Sequence, residues 1–405
     1  MSVHDSSEQV AEKIRGEFAA WLSTAWKSEL SLREWREVFV DSGWAVPHWP
    51  QEHYGKGLPV WSEGVIAREL KRVGAPGLPI GGGTFLAAPT ILDHGSNDLQ
   101  QKFLRDILVG ATTWCQLFSE PGAGSDLAGL STKAVRDGDE WVINGQKVWN
   151  TSAHHADYGI LLARTDAEAS KHSGISYFVI PMKQAGVLVR PLRQMNHHRS
   201  FNEVFLTDAR VPSDWIVGEE NNGWAVALTT LAYERKFGAT FGDLRTQGTG
   251  RAAREAHHEW LEYMETYKWY PQRAGRVDLI VPRLVETGHN TDPIARDDAM
   301  KVVSLQRVSA LTAERARVQR ELGNPPGAEG SVGKLATSMA ARGAAEVHAH
   351  ITGAHAMLDS SDESIEGVIS EVILSVPAQS IAGGTDEIQK NILGERILGL
   401  PREPR

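Results

Sequence analysis

The chain has 405 residues, 41% of them hydrophobic and 23% charged, with a formal net charge of -9. That length exceeds one compact core, pointing to two or three packed regions of ordinary globular composition. The acidic balance supplies no basic footprint for nucleic acid, and no apolar run is long enough to span a bilayer.

The single cysteine, Cys115, allows neither an intramolecular disulfide nor a thiolate metal cluster. It lies in the apolar run Thr113–Phe118, where a buried structural thiol is expected. The chain opens Met-Ser-Val-His-Asp without a basic flank or an apolar stretch after it, so a soluble cytoplasmic protein is expected. Thirteen Trp residues exceed ordinary packing needs and hint at flat pockets or interfaces.

Helices are predicted first. Val10, Ile14, Phe18 and Leu22 recur every four residues and mark one apolar face. A helix over Leu32–Asp41 turns Trp35, Val38 and Phe39 inward and stops at Gly43. A third carries Trp61, Val65, Ile66, Leu70 and Val73. A fourth carries Leu99, Phe103, Ile107 and Leu108 before Gly110. The stretches Trp49–Gly55 and Gly77–Gly83 are rich in breakers and read as loops.

From Thr112 to Pro212 the pattern changes to short runs of Val, Ile, Trp, Phe and Tyr: Val142–Ile143, Tyr158–Ala163, Ile175–Ile180, Val187–Val189 and Val204–Leu206. Asp137-Gly138, Asn144-Gly145 and Gly186 read as the turns between them. After Gly223 the helical period returns, with one loop near Asn324–Gly327. The expected fold class is α+β multidomain: an N-terminal helical domain at 1–111, a middle β-barrel or sandwich at 112–217 and a C-terminal helical bundle at 218–405. Repeated β-α alternation is absent, which excludes a Rossmann fold.

Two stretches carry chemistry. Phe118-Ser-Glu-Pro-Gly-Ala-Gly-Ser-Asp126 follows a strand, and its Pro and glycines make a bend whose backbone N–H groups can face a planar or anionic ligand. By itself a hairpin corner would look the same. Downstream, Gly145-Gln-Lys-Val-Trp-Asn-Thr151 adds Trp149, able to cover one face of an isoalloxazine, and Thr151, able to bond its edge.

With these two stretches the sequence resembles the acyl-CoA dehydrogenase family, bacterial members above all, over nearly the whole chain. Three further segments follow the family pattern in order: Phe201-Asn-Glu-Val-Phe-Leu-Thr-Asp-Ala-Arg-Val-Pro212, Val217-Gly-Glu-Glu-Asn-Asn-Gly-Trp224 and Gly383-Gly-Thr-Asp-Glu-Ile-Gln389. The resemblance implies an FAD enzyme that desaturates the Cα–Cβ bond of an acyl-CoA and passes electrons to an electron-transfer flavoprotein. It places Gln116, Leu117, Phe118, Ser119, Gly124, Ser125, Trp149, Asn150 and Thr151 along the flavin, with Gly384, Thr385 and Glu387 approaching from the last helix. Ser125, Tyr233 and Arg235 are placed on the acyl-CoA, and no metal is implied. Thr385 also reads as a helix N-cap ahead of an apolar face made by Ile388, Ile392 and Ile397.

The reaction needs a carboxylate to take the α-proton, and a dry pocket suits that task by raising the group's pKa. In many members a Glu precedes the Gly-Thr of the last signature; here Gly383 stands there. The family's second placement, on the first helix after the β-domain, falls on Glu234 within Leu231-Ala-Tyr-Glu-Arg235. Glu234 is therefore the expected base, set against the ordinary reading of a surface or ion-pair carboxylate, and Gly383 is left a backbone N–H for the thioester carbonyl.

Other positions depart from the pattern. Family members lend an Arg and a Gln to a neighbouring subunit's flavin. Here the first region reads Gly288–Arg296 without the motif, and His350 stands where the Gln is expected. An extra stretch between Arg245 and Thr287 brings Trp260, Tyr263, Tyr267, Trp269 and Tyr270, expected in a core or interface. Two assemblies stay open: a heteromer with a related second subunit, or a homo-oligomer in which Arg296, Arg283 or His350 takes over the contact. Two rival functions stay open as well, a flavin monooxygenase on the same fold and a non-catalytic subunit. The His pairs 154–155, 197–198 and 257–258, and His348, His350 and His355, lack a zinc-enzyme context.

Overall fold

The computed structural model describes residues 3–240, 248–321, 327–357 and 364–402. The order is helical, then β, then helical, as the periodicities predict. Two compact units result: Met1–Leu192 with Arg199–Thr266, and Arg193–His198 with Tyr267–Arg405.

In the first unit, α1 (Val3–Ala25), α2 (Leu32–Asp41) and α3 (Ser62–Val73) enclose an aromatic core. Ser31 caps α2 by accepting from the Glu34 N–H while the Glu34 carboxylate takes the Ser31 N–H, a reciprocal capping box. Ile14, Phe18, Leu22, Trp35 and Phe39 are buried, each contributing roughly 1.5–3 kcal/mol. Val10, Val38 and Trp61, expected inward, are exposed instead. Val10 lies in the N-terminal third of α1, ahead of the buried Ile14, Val38 sits off the stripe set by Trp35 and Phe39, and Trp61 is the residue before α3 starts.

Next come α4 (Ala88–His94), entered through a π-turn at Gly83–Ala87, and α5 (Asn97–Leu108), capped by Ser96. The predicted face Leu99, Phe103, Ile107 and Leu108 is buried throughout. Seven strands follow: β1 (Trp114–Leu117), β2 (Lys133–Asp137), β3 (Glu140–Thr151), β4 (Tyr158–Arg164), β5 (Ile175–Pro181), β6 (Val187–Leu192) and β7 (Phe201–Pro212). They form one sheet in the order β1-β4-β2-β3-β7-β6, with β5 on β4.

Asn144-Gly145 is not a turn. β3 runs through it, paired antiparallel to β7, with the register shifting between Ile143 and Gly145. A Cβ at Gly145 would lie 2.3 Å from Thr132 Oγ1, so close strand approach, rather than chain reversal, demands glycine there. A second shift, between Val148 and Asn150, leaves Trp149 on a bulge.

Completing the first unit, α6 (Gly223–Thr240) packs on α4 and β5, and α7 (Arg251–Tyr267) joins α2 through Arg36–Glu259, 2.7 Å. Tyr177 of β5 and Thr90 of α4 both bond Thr230 of α6 at 3.0 Å in a buried hydroxyl cluster.

The second unit is helical: α8 (Tyr270–Arg273), α9 (Ile280–Glu286), α10 (Pro293–Glu321), α11 (Glu329–Thr352), α12 (Ile365–Ser375) and α13 (Asp386–Ile392). Ile280, Ala299, Val302, Ala344, Val347 and Ile351 make its core. Residues 193–198 belong to it through Asn196 Nδ2 to Ser375 Oγ, 2.9 Å, and His198 Nε2 with Glu371 Oε1, 2.8 Å. Of the predicted aromatics, Trp269 is buried against Tyr270. Ile397, expected with Ile388 and Ile392 on the apolar face of α13, is exposed in a π-turn beyond that helix. The loop predicted at Asn324–Gly327 falls, in its residues 324–326, outside the described residues, as does Arg245.

Candidate active site

β1 ends at Leu117, and the chain enters the glycine bend. Leu117 and Phe118 turn their side chains into hydrophobic cores, leaving only their backbones to line a ligand. Ser119 offers its carbonyl to the Val148 N–H at 2.9 Å, docking the bend on β3. Gly124 and Ser125 are exposed, and a Cβ at Gly122 or Gly124 would meet open space.

Glu120 is buried beneath the bend. It accepts from Ser131 N at 2.7 Å, Thr132 N at 2.9 Å and Lys147 Nζ at 2.8 Å, and Lys147 also donates to the Phe118 carbonyl at 3.0 Å. Burial would raise the Glu120 carboxyl, but the Lys147 charge and these hydrogen bonds overcome it and hold it at about 2.

Trp149 stands on the β3 bulge with φ 64° and 56% of its surface exposed, its ring edge-on to Phe201 at 5.7 Å. Such an exposed aromatic, presented by a left-handed residue in mid-strand, is the kind of feature a bulge builds beside a ligand. Its neighbour Asn150 is buried, donates from Nδ2 to the Gln116 carbonyl at 2.8 Å, and keeps its Oδ1 without a partner. Thr151 is half-buried at the strand end.

On α6, Glu234 accepts from Gln116 Nε2 at 3.3 Å. Desolvation raises its pKa, opposed by the Gln116 hydrogen bond and the charge of Arg235. The Gln116 hydrogen bond brings the predicted base onto the strand that begins the predicted flavin loop. Tyr233, half-buried, donates to Asp93 Oδ2 at 2.7 Å, so its hydroxyl is engaged within the unit, and Arg235 is exposed.

In the second unit Gly383 and Gly384 form a bend with φ 70° and 84°, and Gln389 Nε2 holds the Gly383 carbonyl at 3.1 Å. Thr385 caps α13, Glu387 is exposed, and Asp386 is buried against Lys334 at 2.7 Å. Arg283 is also buried, donating to Thr352 Oγ1, which leaves Arg296 and His350 as the exposed members of the trio. Cys115 is buried in the sheet, its thiol pushed up to about 12 by desolvation. Among the described residues no group of three or more His, Cys, Asp or Glu is placed to hold a metal, and no helix is long and apolar enough to cross a membrane.

Sequence reasoning missed the Glu120–Lys147 pair. The signal was present: Trp141 and Ile143 set the inward phase of β3, and Lys147 falls on the same phase. A lysine pointing inward needs an acid, and Glu120 lies in the adjoining motif.

The chain matches three family descriptions in order: "Acyl-CoA dehydrogenase, N-terminal domain" over residues 4–111, "Acyl-CoA dehydrogenase, middle domain" over 115–209 and "Acyl-CoA dehydrogenase, C-terminal domain" over 290–398. It is 36% identical over 391 residues to "Acyl-CoA dehydrogenase FadE34" of Mycobacterium tuberculosis, covering 96% of this chain and 49% of that one. The chain thus spans about half the length of that relative. It is 34% identical over 405 residues to "Acyl-CoA dehydrogenase IpdE1" of the same organism, covering 98% of this chain and 96% of that one. Among solved structures, the "Tcur3481-Tcur3483 steroid ACAD" superimposes with TM-score 0.66 at 25% identity over 98% of both chains. The "ChsE4-ChsE5 complex from Mycobacterium tuberculosis" superimposes with TM-score 0.62 at 26% identity, covering 97% of this chain and 98% of that one. The chain belongs to the acyl-CoA dehydrogenase family, oxidoreductases acting on acyl-CoA.

Proposed function

We propose that the protein is an FAD-dependent acyl-CoA dehydrogenase that introduces a Cα–Cβ double bond into an acyl thioester, with Glu234 as the base. The observation that carries this reading is the desolvated Glu234 carboxylate bonded to Gln116, at the head of the glycine bend. The residues present fit a flavin: Trp149 exposes a ring face, Gly122 and Gly124 leave the bend open, and Asn150 Oδ1 is a buried acceptor without a partner. Gln116, Ser119, Gly124, Ser125, Trp149, Asn150 and Thr151 would hold it, the backbones of Leu117 and Phe118 adding N–H and C=O groups. FAD, when bound, supplies the acceptor for the hydride leaving the β-carbon. Glu234 takes the α-proton, and its desolvation makes it a stronger acceptor than a solvated carboxylate.

The resemblance also supports electron-transfer flavoprotein as the onward acceptor, Ser125, Tyr233 and Arg235 on the acyl-CoA, and Gly383 as a backbone donor to the thioester carbonyl. It assigns Gly384, Thr385 and Glu387 to the cofactor, and the change of sequence period supports three domains, 1–111, 112–217 and 218–405. Steroid or fatty acyl degradation is the proposed context, supported by the likeness to the "Tcur3481-Tcur3483 steroid ACAD".

The test is anaerobic mixing of yellow holoprotein with straight, branched and ring-bearing acyl-CoA thioesters. Bleaching by one class, lost by at least ~100-fold in Glu234→Gln with flavin retained, supports the assignment. Bleaching that survives Glu234→Gln removes Glu234 as the base. Substrate oxygenation that needs O₂ would move the protein to the monooxygenase class.

A further inference from the structure

A carboxylate has two oxygens, and in Glu234 one of them is already held. Gln116 Nε2 donates to Oε2 at 3.3 Å. Gln116 is itself fixed from behind: its main-chain carbonyl accepts Asn150 Nδ2 at 2.8 Å, and the Asn150 main-chain carbonyl accepts Asn202 Nδ2 at 2.8 Å. These three amides run from β7 through β3 and β1 to α6, and all of them lie in the first unit. Asn150 sits between Trp149 and Thr151, so the strand that presents the exposed Trp also holds the main chain of the residue whose amide is aimed at the carboxylate.

The charged and titratable groups around this contact are engaged elsewhere or set apart. Asp93 and His94 of α4 bond Tyr233 and Thr229, and Tyr177 of β5 bonds Thr230. Arg235, next to Glu234 on α6, acts on it through charge.

We propose that Gln116 is a positioning residue for the base: it holds Oε2 of Glu234, leaves Oε1 for the substrate proton, and ties the base's orientation to the Trp149–Thr151 strand. The inference rests on the reading of Glu234 as the base. A side chain that only filled space would set neither the carboxylate's orientation nor its titration. An N–H donor favours the charged carboxylate, so its loss should make Glu234 harder to ionise.

The experiment is an infrared pH titration of flavin-loaded protein, following the carboxyl band that disappears in Glu234→Gln; it needs no acyl thioester. Gln116→Met keeps the length and removes the donor, and should move the midpoint up by about one pH unit. Gln116→Glu keeps the shape, adds a second carboxyl, and should move it further. Melting temperature and flavin content are measured beside each titration. Folded, flavin-loaded variants that titrate at the wild-type midpoint overturn the role of Gln116. If Gln116→Met does not fold, Gln116→Glu carries the test by the same criterion. Failure of the base reading looks different: Glu234→Gln would then reduce its flavin at the wild-type rate, whatever the Gln116 variants do.

Discussion

Lys147 reaches from β3 to Glu120 in the glycine bend, Nζ to Oε1 at 2.8 Å, with the lysine side chain 0% and the glutamate 4% exposed. The pair sits under the loop that would carry the flavin, and Lys147 closes the arrangement by also bonding the Phe118 carbonyl. A buried pair of this kind need not raise stability overall, because desolvation of two charges offsets their attraction. It does make the geometry of the bend depend on both partners being present.

Removing one partner should therefore be far worse than removing both. Lys147→Met leaves a carboxylate buried without its counter-charge and is expected to lower stability by roughly 3–5 kcal/mol. Lys147→Met combined with Glu120→Gln should recover a good part of that loss. Denaturant unfolding of the two single variants and the double variant measures the coupling. Additive effects would show that the pair is incidental to the bend. Acid acts on the same contact: Glu120's contribution is present above its ordinary value of 4.5 and is lost as pH falls toward about 2.

Glu234 should show the opposite linkage. Its carboxyl is harder to ionise in the folded protein than in the unfolded chain, where 4.5 is the reference. The stability associated with its protonated form is fully present below that reference and is lost as pH rises through the raised folded value. Glu234→Gln, a neutral isostere, escapes the loss. The variant should match wild type below the unfolded value and become more stable than wild type as pH rises toward neutrality. Melting curves across that range check the sign, and a gap that closes with rising pH would contradict a desolvated carboxylate. Flavin reduction in wild type should rise over the same window, because only the ionised form accepts the proton.

Much of the fold was legible because period decides it. Ile14, Phe18 and Leu22, or Leu99, Phe103 and Ile107, are buried where a 3.6-residue repeat puts them. Misreadings arose where local signals met tertiary ones. Asn144-Gly145 has the composition of a hairpin turn, but pairing with β7 and the approach of Thr132 turn it into strand interior. The stripe through Val38 was drawn too wide, because a ten-residue helix packed on one side buries only the positions facing that side. In the site, Trp149 and Glu234 could be named from motif order. The Glu120–Lys147 contact and the Gln116–Asn150–Asn202 chain join residues 27, 34 and 52 positions apart, which no local pattern reports.

Trp149 offers a test in which folding and binding separate. Its ring is largely exposed, so Trp149→Ala should leave melting temperature nearly unchanged, within about 0.5 kcal/mol. A ring face that covers a cofactor contributes far more to binding, on the order of 1–3 kcal/mol, or roughly 10-fold to 100-fold in retention. Flavin-to-protein ratio after gel filtration, read beside circular dichroism, measures both. A fully yellow Trp149→Ala protein would remove Trp149 from the proposed site.

Assembly is the last expectation, and it turns on what the chain lacks. The family resemblance calls for an Arg and a Gln lent to a neighbour's flavin, and here neither motif is recognisable at Gly288–Arg296 or at His350. Arg283 is drawn inward to Thr352, which narrows the candidates in a homo-oligomer to Arg296 and His350. In the heteromer, a second, related chain would supply the missing pair. Expression of this chain alone should then yield protein with well under one FAD per protomer and weak dye reduction. Co-expression with such a chain should restore both, and native mass spectrometry would report the two-chain complex. The opposing result is equally clear: a self-assembled, fully flavin-loaded and active homo-oligomer. In that case Arg296→Ala or His350→Ala should lower flavin content, because one of them would be making the contact.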